Sequence, residues 1–175
     1  MPLEIVQGQP GDANALEALY NAVHDHLARG VNWPGWEKGI YPTRRDAERG
    51  LEEDSLFVAK DGADIAGSII LSHRPEPAFM PVKWLADCDY SEVFVIRTFV
   101  VHPHYLRHGV GRALLAFAQR QAQATGMRSL RLDVFRKNTP AIRLYEQCGY
   151  TYIDTVDLGL AVYGLDRFHL YERLV

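Results

Sequence analysis

The residues best suited to chemistry lie in Val100–Leu115, where an apolar strand passes through a short polar turn into Gly109-Val110-Gly111. Two glycines allow a tight turn and bring backbone N–H groups close to a bound group. The first N–H groups of a helix lack an internal partner and lie at the positive end of its dipole. The spacing therefore predicts a phosphate or pyrophosphate site, although a lone glycine pair is most often only a turn. The N–H donors that we expect are those of Arg107, His108, Gly109, Val110, Gly111 and Arg112.

A second segment, Asn138–Tyr150, carries the signals of a short helix. Thr139 is placed to cap it, and Pro140 suits its first turn. Gly149 can end it in a left-handed conformation. Tyr145 falls at helical spacing with other apolar residues, so it is either a buried packing residue or a reactive phenol.

Together the two segments resemble the GNAT acetyltransferase superfamily. In that family the pyrophosphate of acetyl-CoA lies on a turn written R/Q-x-x-G-x-G/A, and a later helix, N-x-x-A-x-x-x-Y-x-x-x-G-(F/Y), flanks the pantetheine arm and thiol. Both motifs occur here in the right order and separation, and Phe168–Arg173 resembles the family's last strand. The resemblance implies acetyl-CoA as co-substrate and Asn138 among the residues that bind it. One departure is Leu106 at the R/Q position, with an arginine one place later at Arg107, which we expect to weaken acetyl-CoA binding without abolishing it.

Acetyl transfer to an amine needs a neutral amine, a stabilised oxyanion and a protonated leaving thiolate. The resemblance implies that Tyr145 protonates the thiolate. A phenol of pKa about 10 stays protonated at neutral pH and can donate to a thiolate whose acid has a pKa of about 8.5. The other interpretation is that Tyr145 only packs against the pantetheine arm. For the oxyanion, the resemblance implies backbone N–H groups of Phe99, Val100 and Val101, at the end of the central strand.

The sequence does not point to a single general base. Many relatives carry a carboxylate on the central strand, at a position that is apolar here, near Val95. Glu92 has the opposite parity and serves as a base only if a bulge shifts the register. The alternatives are Asp87, Asp89, Tyr90 or a chain of waters. At pH 7 a lysine-type amine costs about 4–5 kcal/mol to neutralise and an α-amine about 1.4 kcal/mol, so a site without an obvious base favours the α-amine.

Acceptor binding is expected in two irregular segments, residues 30–42 and 74–90, which combine aromatic rings with carboxylates. Such walls suit a cationic, partly apolar amine. The candidate acceptor-binding residues are Trp33, Trp36 and Tyr41. The alternative is that these rings only anchor long loops to the core.

Hydrophobic periodicity predicts the elements that position these residues, in the order β-α-α-β-β-β-α-β-α-β-β. The central strand is predicted at Val93–Val101 and another strand at Ser129–Phe135. The resemblance implies an α/β fold with a mixed central sheet flanked by helices, in which these two strands splay apart to admit the cofactor. His24, on the first helix, is expected to be partly exposed.

Composition excludes several classes of protein. A length of 175 residues suits one domain, here 1–175, and a net charge of −3 argues against nucleic-acid binding. No apolar run approaches the ~18 residues of a membrane span, and the first residues lack a signal-peptide pattern. Two cysteines outside any metal motif favour a reducing cytoplasm and no metal site.

The sequence therefore predicts an enzyme that moves an acetyl group from acetyl-CoA to a primary amine of a small molecule or peptide. Two alternatives stay open. One is an acetyltransferase that acts on lysines or N-termini of folded proteins, and the other is a non-catalytic acyl-CoA-binding module. The acceptor, the base and the oligomeric state are not fixed, and a homodimer is among the allowed arrangements.

Overall fold

The computed structural model describes residues 2–175, so Met1, the first residue of the predicted domain, lies outside it. The helices and strands follow the predicted order. They are β1 (Glu4–Gln7), α1 (Ala13–Arg29), α2 (Arg44–Glu52), β2 (Leu56–Asp61), β3 (Asp64–Ser72), β4 (Val93–Val101), α3 (Val110–Ala124), β5 (Ser129–Phe135), α4 (Thr139–Gln147), β6 (Thr151–Val156) and β7 (Phe168–Leu174). Within residues 2–175, none of the helices is both long and apolar enough to span a membrane.

The seven strands form a mixed sheet in the order β1-β2-β3-β4-β5-β7-β6, which confirms the predicted α/β fold. The two strands predicted to splay, β4 and β5, are parallel neighbours. Their ladder pairs Val93–Val95 with Ser129–Arg131, and β4 then continues to Val101. Strand β5 is paired with β7, antiparallel, along its whole length.

The chain divides into two compact units. The first unit comprises the residues up to Asn32, Trp36–Leu71 and Arg97–Phe117, and the second comprises Trp33–Gly35, Ser72–Ile96 and Ala118–Val175. Each unit contains one part of the predicted site. The glycine turn and the end of β4 belong to the first unit, and the helix that carries Tyr145 belongs to the second.

In the first unit, two helices pack on a buried apolar cluster. Helix α1 buries Leu16, Leu19 and Val23, which recur on one face at helical spacing. Helix α2 begins at a capping box, in which the Thr43 N–H donates to Asp46 Oδ2 at 2.7 Å. Strand residues that complete the cluster are Leu56, Val58, Ile65, Ile70 and Val100.

In the second unit, helix α4 begins one residue earlier than predicted. Asn138, and not Thr139, is the N-cap, because the Asn138 side chain accepts from the Ala141 N–H at 3.4 Å. This makes Thr139 the first helical residue. The predicted left-handed end of the helix is present at Gly149, with φ +89°.

The second unit also buries an ion pair, which we call the charged cluster: Arg131, Glu172 and Ser129. Arg131 and Glu172 are opposite one another on β5 and β7, with Nε and Oε2 3.1 Å apart. The Ser129 hydroxyl donates to the same carboxylate at 2.6 Å. The loop between β3 and β4 covers the pair. Arg131 donates to the Ala86 carbonyl of this loop at 2.7 Å and lies 4.5 Å from the centre of the Trp84 ring.

Candidate active site

The glycine turn of the first unit has the backbone conformation of an anion site. Arg107 and Gly109 both lie in the left-handed region, with φ +64° and +81°, on either side of His108. Left-handed residues in a turn allow successive N–H groups to converge on one point. Helix α3 starts immediately afterwards, and its first backbone bond runs from the Ala113 N–H to the Gly109 carbonyl at 3.0 Å. The N–H groups of the first turn, from Val110 onwards, therefore have no acceptor within the helix.

The surroundings of this turn fit a pyrophosphate. Residues 106–109 are exposed, and no atom lies within 4 Å of the place where a side chain at Gly109 would begin. Arg107 and Arg112 are exposed cations beside it. The N–H of His108 was expected to bind the pyrophosphate, but it donates to the Tyr105 carbonyl at 3.2 Å within the turn. The His108 side chain is therefore the part of this residue that can contact a ligand.

The end of β4, predicted to supply oxyanion donors, follows an unusual residue. Thr98 is buried within the strand yet has φ +46°. Beyond it the strand lies close to β3, since a side chain added at Gly67 would meet the Val100 carbonyl oxygen at 2.7 Å. The His102 N–H donates to the Ala66 carbonyl at 2.8 Å. Phe99, Val100 and Val101 thus follow a distorted residue, and the chain lies close to β3 again from Val100 to His102.

Four neighbouring hydroxyl side chains of the first unit include that of Thr98. We call them the hydroxyl cluster: Tyr20, Tyr41, Ser68 and Thr98. Tyr41 and Thr98 are joined, with hydroxyl oxygens 2.8 Å apart. The hydroxyls of Tyr20 and Ser68 are buried and have no well-formed hydrogen bond among residues 2–175. Burial raises the pKa of the Tyr20 phenol; nearby Tyr41 adds to the rise and the Ser68 hydroxyl opposes it.

His24 borders the hydroxyl cluster and corrects the sequence prediction. It was expected to be partly exposed, but only 5% of it is exposed. Its Nε2 lies 3.0 Å from the Pro42 carbonyl oxygen, and since a carbonyl only accepts, Nε2 carries the proton. The irregular segment folds back onto α1 and buries the imidazole, which helical periodicity could not reveal.

The three predicted acceptor-binding residues have different surroundings. Trp36 packs against the core of the first unit, and its backbone N–H and carbonyl both bond the Asn32 side chain, at 3.1 and 2.9 Å. Tyr41 meets Trp36 edge-on, with ring centres 5.7 Å apart. Trp33, which belongs to the second unit, is 40% exposed. Trp36 therefore anchors its loop, whereas Trp33 presents its ring to solvent.

Tyr145, the predicted acid, lies on α4 in the second unit and is buried. Its ring contacts those of Tyr150 and Tyr171, with centres 5.8 and 6.5 Å away. The Tyr171 hydroxyl donates to Glu146 Oε2 at 3.1 Å. Burial and then this carboxylate raise the pKa of Tyr171 to about 12, so Tyr171 keeps its proton across the neutral range.

Glu92, the predicted base, lies in a short 3₁₀ turn that ends where β4 begins. Its carboxylate is 3.9 Å from Arg128 Nη1, with both side chains about half exposed. Of the alternative bases, the Asp89 carboxylate is a weaker base than usual and the Tyr90 phenol is harder to ionise than usual. Hydrogen bonds from Ser91 lower the pKa of Asp89, and burial raises the pKa of Tyr90.

His73 is a candidate base that the sequence did not reveal. It follows β3, and its Nδ1 lies 2.9 Å from both the Tyr90 and the Val93 carbonyl oxygens. Two carbonyl acceptors require the proton on Nδ1, which leaves a lone pair on Nε2 of this exposed ring. A single histidine at a strand end carries no sequence signal, so only the backbone geometry identifies it.

Known proteins resemble this chain in sequence and in fold. Residues 18–150 match the model of the acetyltransferase (GNAT) family. The UPF0157 protein YqkA of Bacillus subtilis is 36% identical over 74 residues, which are 42% of this chain and 21% of that protein. Mycothiol acetyltransferase of Actinosynnema mirum is 28% identical over 109 residues, 61% of this chain and 31% of that protein. The matched part thus spans about a fifth to a third of these relatives.

A solved structure extends the likeness to nearly the whole chain. An acetyltransferase of the GNAT family from Streptococcus pneumoniae superposes with a TM-score of 0.73 over 99% of both chains, at 23% identity. This shows a common fold. Since the family model covers most of the sequence, including the glycine turn and the Tyr145 helix, the chain belongs to the acetyltransferase (GNAT) family.

Proposed function

We propose that this chain transfers an acetyl group from acetyl-CoA to a primary amine of a small molecule or peptide. The observation that carries the proposal is the turn at Arg107 and Gly109, where two left-handed residues precede the first N–H groups of α3. Backbone donors at a helix start bind a pyrophosphate without any particular side chain. Leu106, which replaces the family's polar residue, therefore still allows binding.

The reaction forms a C–N bond and breaks a C–S bond. The neutral amine attacks the thioester carbonyl, and backbone N–H groups of Phe99, Val100 and Val101 are the proposed partners of the oxyanion. When the C–S bond breaks, Tyr145 is proposed to give its proton to the thiolate, and Asn138 to support the cofactor by capping the Tyr145 helix. Solvent returns a proton to the Tyr145 phenolate.

The amine's own proton needs an acceptor, and two groups of the second unit are candidates. Glu92 is the candidate from the sequence, and its carboxylate lies 3.9 Å from Arg128 Nη1. His73 donates from Nδ1 to two carbonyls, so Nε2 is the ring nitrogen that can accept a proton. Either group suits an amine whose pKa is near 8 better than a lysine, because less free energy is needed to neutralise it.

The proposal is tested by incubating the protein with acetyl-CoA and a panel of amines and measuring thiol release. The panel contains amino-acid amides, short peptides with free N-termini, small polar amines and a folded lysine-rich protein. We expect release with a free α-amine and a rate that rises with pH with an apparent pKa nearer 8 than 10. In the same assay, substitution of the residue that acts as the base should lower the rate below pH 8 and should have a much smaller effect at pH 10. If His73 is the base, His73→Gln shows this pattern, and if Glu92 is the base, Glu92→Gln shows it.

The outcomes separate the alternatives. Release only with the folded protein would identify a protein acetyltransferase. Tight binding of acetyl-CoA without release for any amine would identify an acyl-CoA-binding module. Neither binding nor release would contradict the proposal altogether.

Three wider expectations remain part of the proposal. They are a single domain over 1–175, a homodimer as one allowed assembly, and a reducing compartment such as the cytoplasm. The last is supported by Cys88 and Cys148, which are both free thiols.

A further inference from the structure

Thr98 is the strained residue of the central strand. Its φ of +46° lies in the left-handed region, which a β-branched side chain adopts rarely. Only 6% of the residue is exposed. Strain of this kind persists only where the surroundings enforce it, and it concentrates at functional sites.

The surroundings that hold Thr98 centre on Tyr41. The Tyr41 hydroxyl and Thr98 Oγ1 are 2.8 Å apart, and this hydrogen bond links residues far apart in the sequence. Tyr41 is itself fixed on both sides. Its ring meets Trp36 edge-on, and the carbonyl of the next residue, Pro42, accepts from buried His24.

The distortion is confined to one place on the strand. Beyond Thr98 the Val100 carbonyl approaches Gly67 and the His102 N–H donates to the Ala66 carbonyl, so the chain lies close to β3 again there. A single left-handed residue in a strand rotates the peptide groups that follow it out of the normal alternation. The amides affected here are those of Phe99 and Val100, which we propose as oxyanion donors.

We infer that Tyr41 is a positioning residue: its hydroxyl holds Thr98 left-handed and thereby aims the following amides at the acetyl carbonyl. The inference rests on the proposed function for the role of those amides. It gives Tyr41 a task beyond the predicted acceptor contact. The loop that carries Tyr41 thus sets the geometry of the strand that stabilises the oxyanion.

The decisive variants are Tyr41→Phe, which removes only the hydroxyl, and Thr98→Gly, which adopts the left-handed conformation without the steric cost. At saturating acceptor, Tyr41→Phe should lower kcat about 10- to 100-fold, as expected for misplaced groups, while the Kd for acetyl-CoA changes less than about twofold. In the Thr98→Gly background the same substitution should change kcat less than about twofold, because glycine no longer needs the phenol.

A purely structural role for the hydrogen bond predicts a different pattern. It would lower stability and leave kcat of the folded protein unchanged, or lower kcat equally in both backgrounds. Either result overturns the inference. Tyr163→Phe serves as the matched control, since Tyr163 is 46% exposed in a short turn of the second unit and its hydroxyl should not affect kcat.

A backbone measurement tests the inference without any activity. The ¹H–¹⁵N resonances of Phe99 and Val100 should move in Tyr41→Phe and stay in place when Tyr41→Phe is added to Thr98→Gly. Unmoved resonances in Tyr41→Phe would overturn the inference even in an active enzyme. Moved resonances in a chain that releases no thiol would instead refute the proposed function and leave the role of Tyr41 in the backbone standing.

Discussion

The charged cluster and the hydroxyl cluster are both buried and polar, but they are built in opposite ways. In the charged cluster, Arg131 and Glu172 face each other across two strands, and loop and serine groups bond to them as well. In the hydroxyl cluster, Tyr20 and Ser68 lack well-formed partners among the described residues, and Thr98 has a strained backbone. Both carboxylate oxygens of Glu172 accept hydrogen bonds, whereas two hydroxyls of the hydroxyl cluster have no partner of good geometry among residues 2–175.

The difference indicates which cluster serves stability and which serves function. A buried charge costs free energy unless it is paired and hydrogen-bonded, so removing one partner of the charged cluster should destabilise the fold. An unsaturated, strained cluster lowers stability, and its presence beside the proposed oxyanion donors suggests a functional reason. Substitutions in the charged cluster should therefore mainly affect folding, and those at the Tyr41–Thr98 bond should mainly affect turnover.

The largest effect is expected for Arg131→Met in the charged cluster. It leaves Glu172 buried without its cation, which should lower the free energy of unfolding by about 3–5 kcal/mol. Chemical denaturation monitored by circular dichroism measures this. Adding Glu172→Gln removes the unpaired charge and keeps an acceptor for the loop, so the double variant should regain more than half of the loss.

A loss below about 1 kcal/mol in Arg131→Met, or a double variant no more stable than the single one, would show that the charged cluster does not serve stability. The charged cluster would then be no more important for folding than an exposed ion pair.

Tyr145→Phe should lower turnover with little loss of stability, because Tyr145 is buried in the same unit as the charged cluster but is proposed to act in the reaction. Loss of the proton donor should lower kcat about 10²–10⁴-fold. The free energy of unfolding should fall by no more than about 1.5 kcal/mol, the value of one hydrogen bond. Tyr152→Phe is the matched control, since that hydroxyl bonds Thr155 on an exposed strand. Equal kcat values for Tyr145→Phe and the parent would reduce Tyr145 to packing.

The fold was predictable because its signals are local. Alternating and helical periodicity gave the element order, and the ladder between β4 and β5 ends early as a splayed pair requires. The cap of α4 was misplaced by one residue, because Asn138 and Thr139 are both good caps and only the backbone decides between them. The glycine turn was visible because it depends on residue types that few other conformations need.

The hidden parts of the candidate site all depend on contacts between distant segments. Arg131 alternates with apolar residues on β5 and looks like an exposed position, yet a loop buries it. His24 and His73 acquire their tautomers from carbonyls that the chain brings to them. The left-handed Thr98 is invisible in a run of β-forming residues, since nothing local favours it.

The most direct test of the account compares the glycines at the two ends of α3. Gly109 and Gly126 have φ +81° and +76°, and neither has an atom within 4 Å of an added side chain. Alanine at either position should cost a similar free energy of unfolding, about 1–2 kcal/mol, because the strain is the same. The measurement is the Kd of acetyl-CoA by titration calorimetry. We predict binding about tenfold weaker, or about 1.4 kcal/mol, for Gly109→Ala and unchanged binding for Gly126→Ala. Equal dissociation constants for the two variants and the parent would show that the acetyl-CoA pyrophosphate does not bind at this turn.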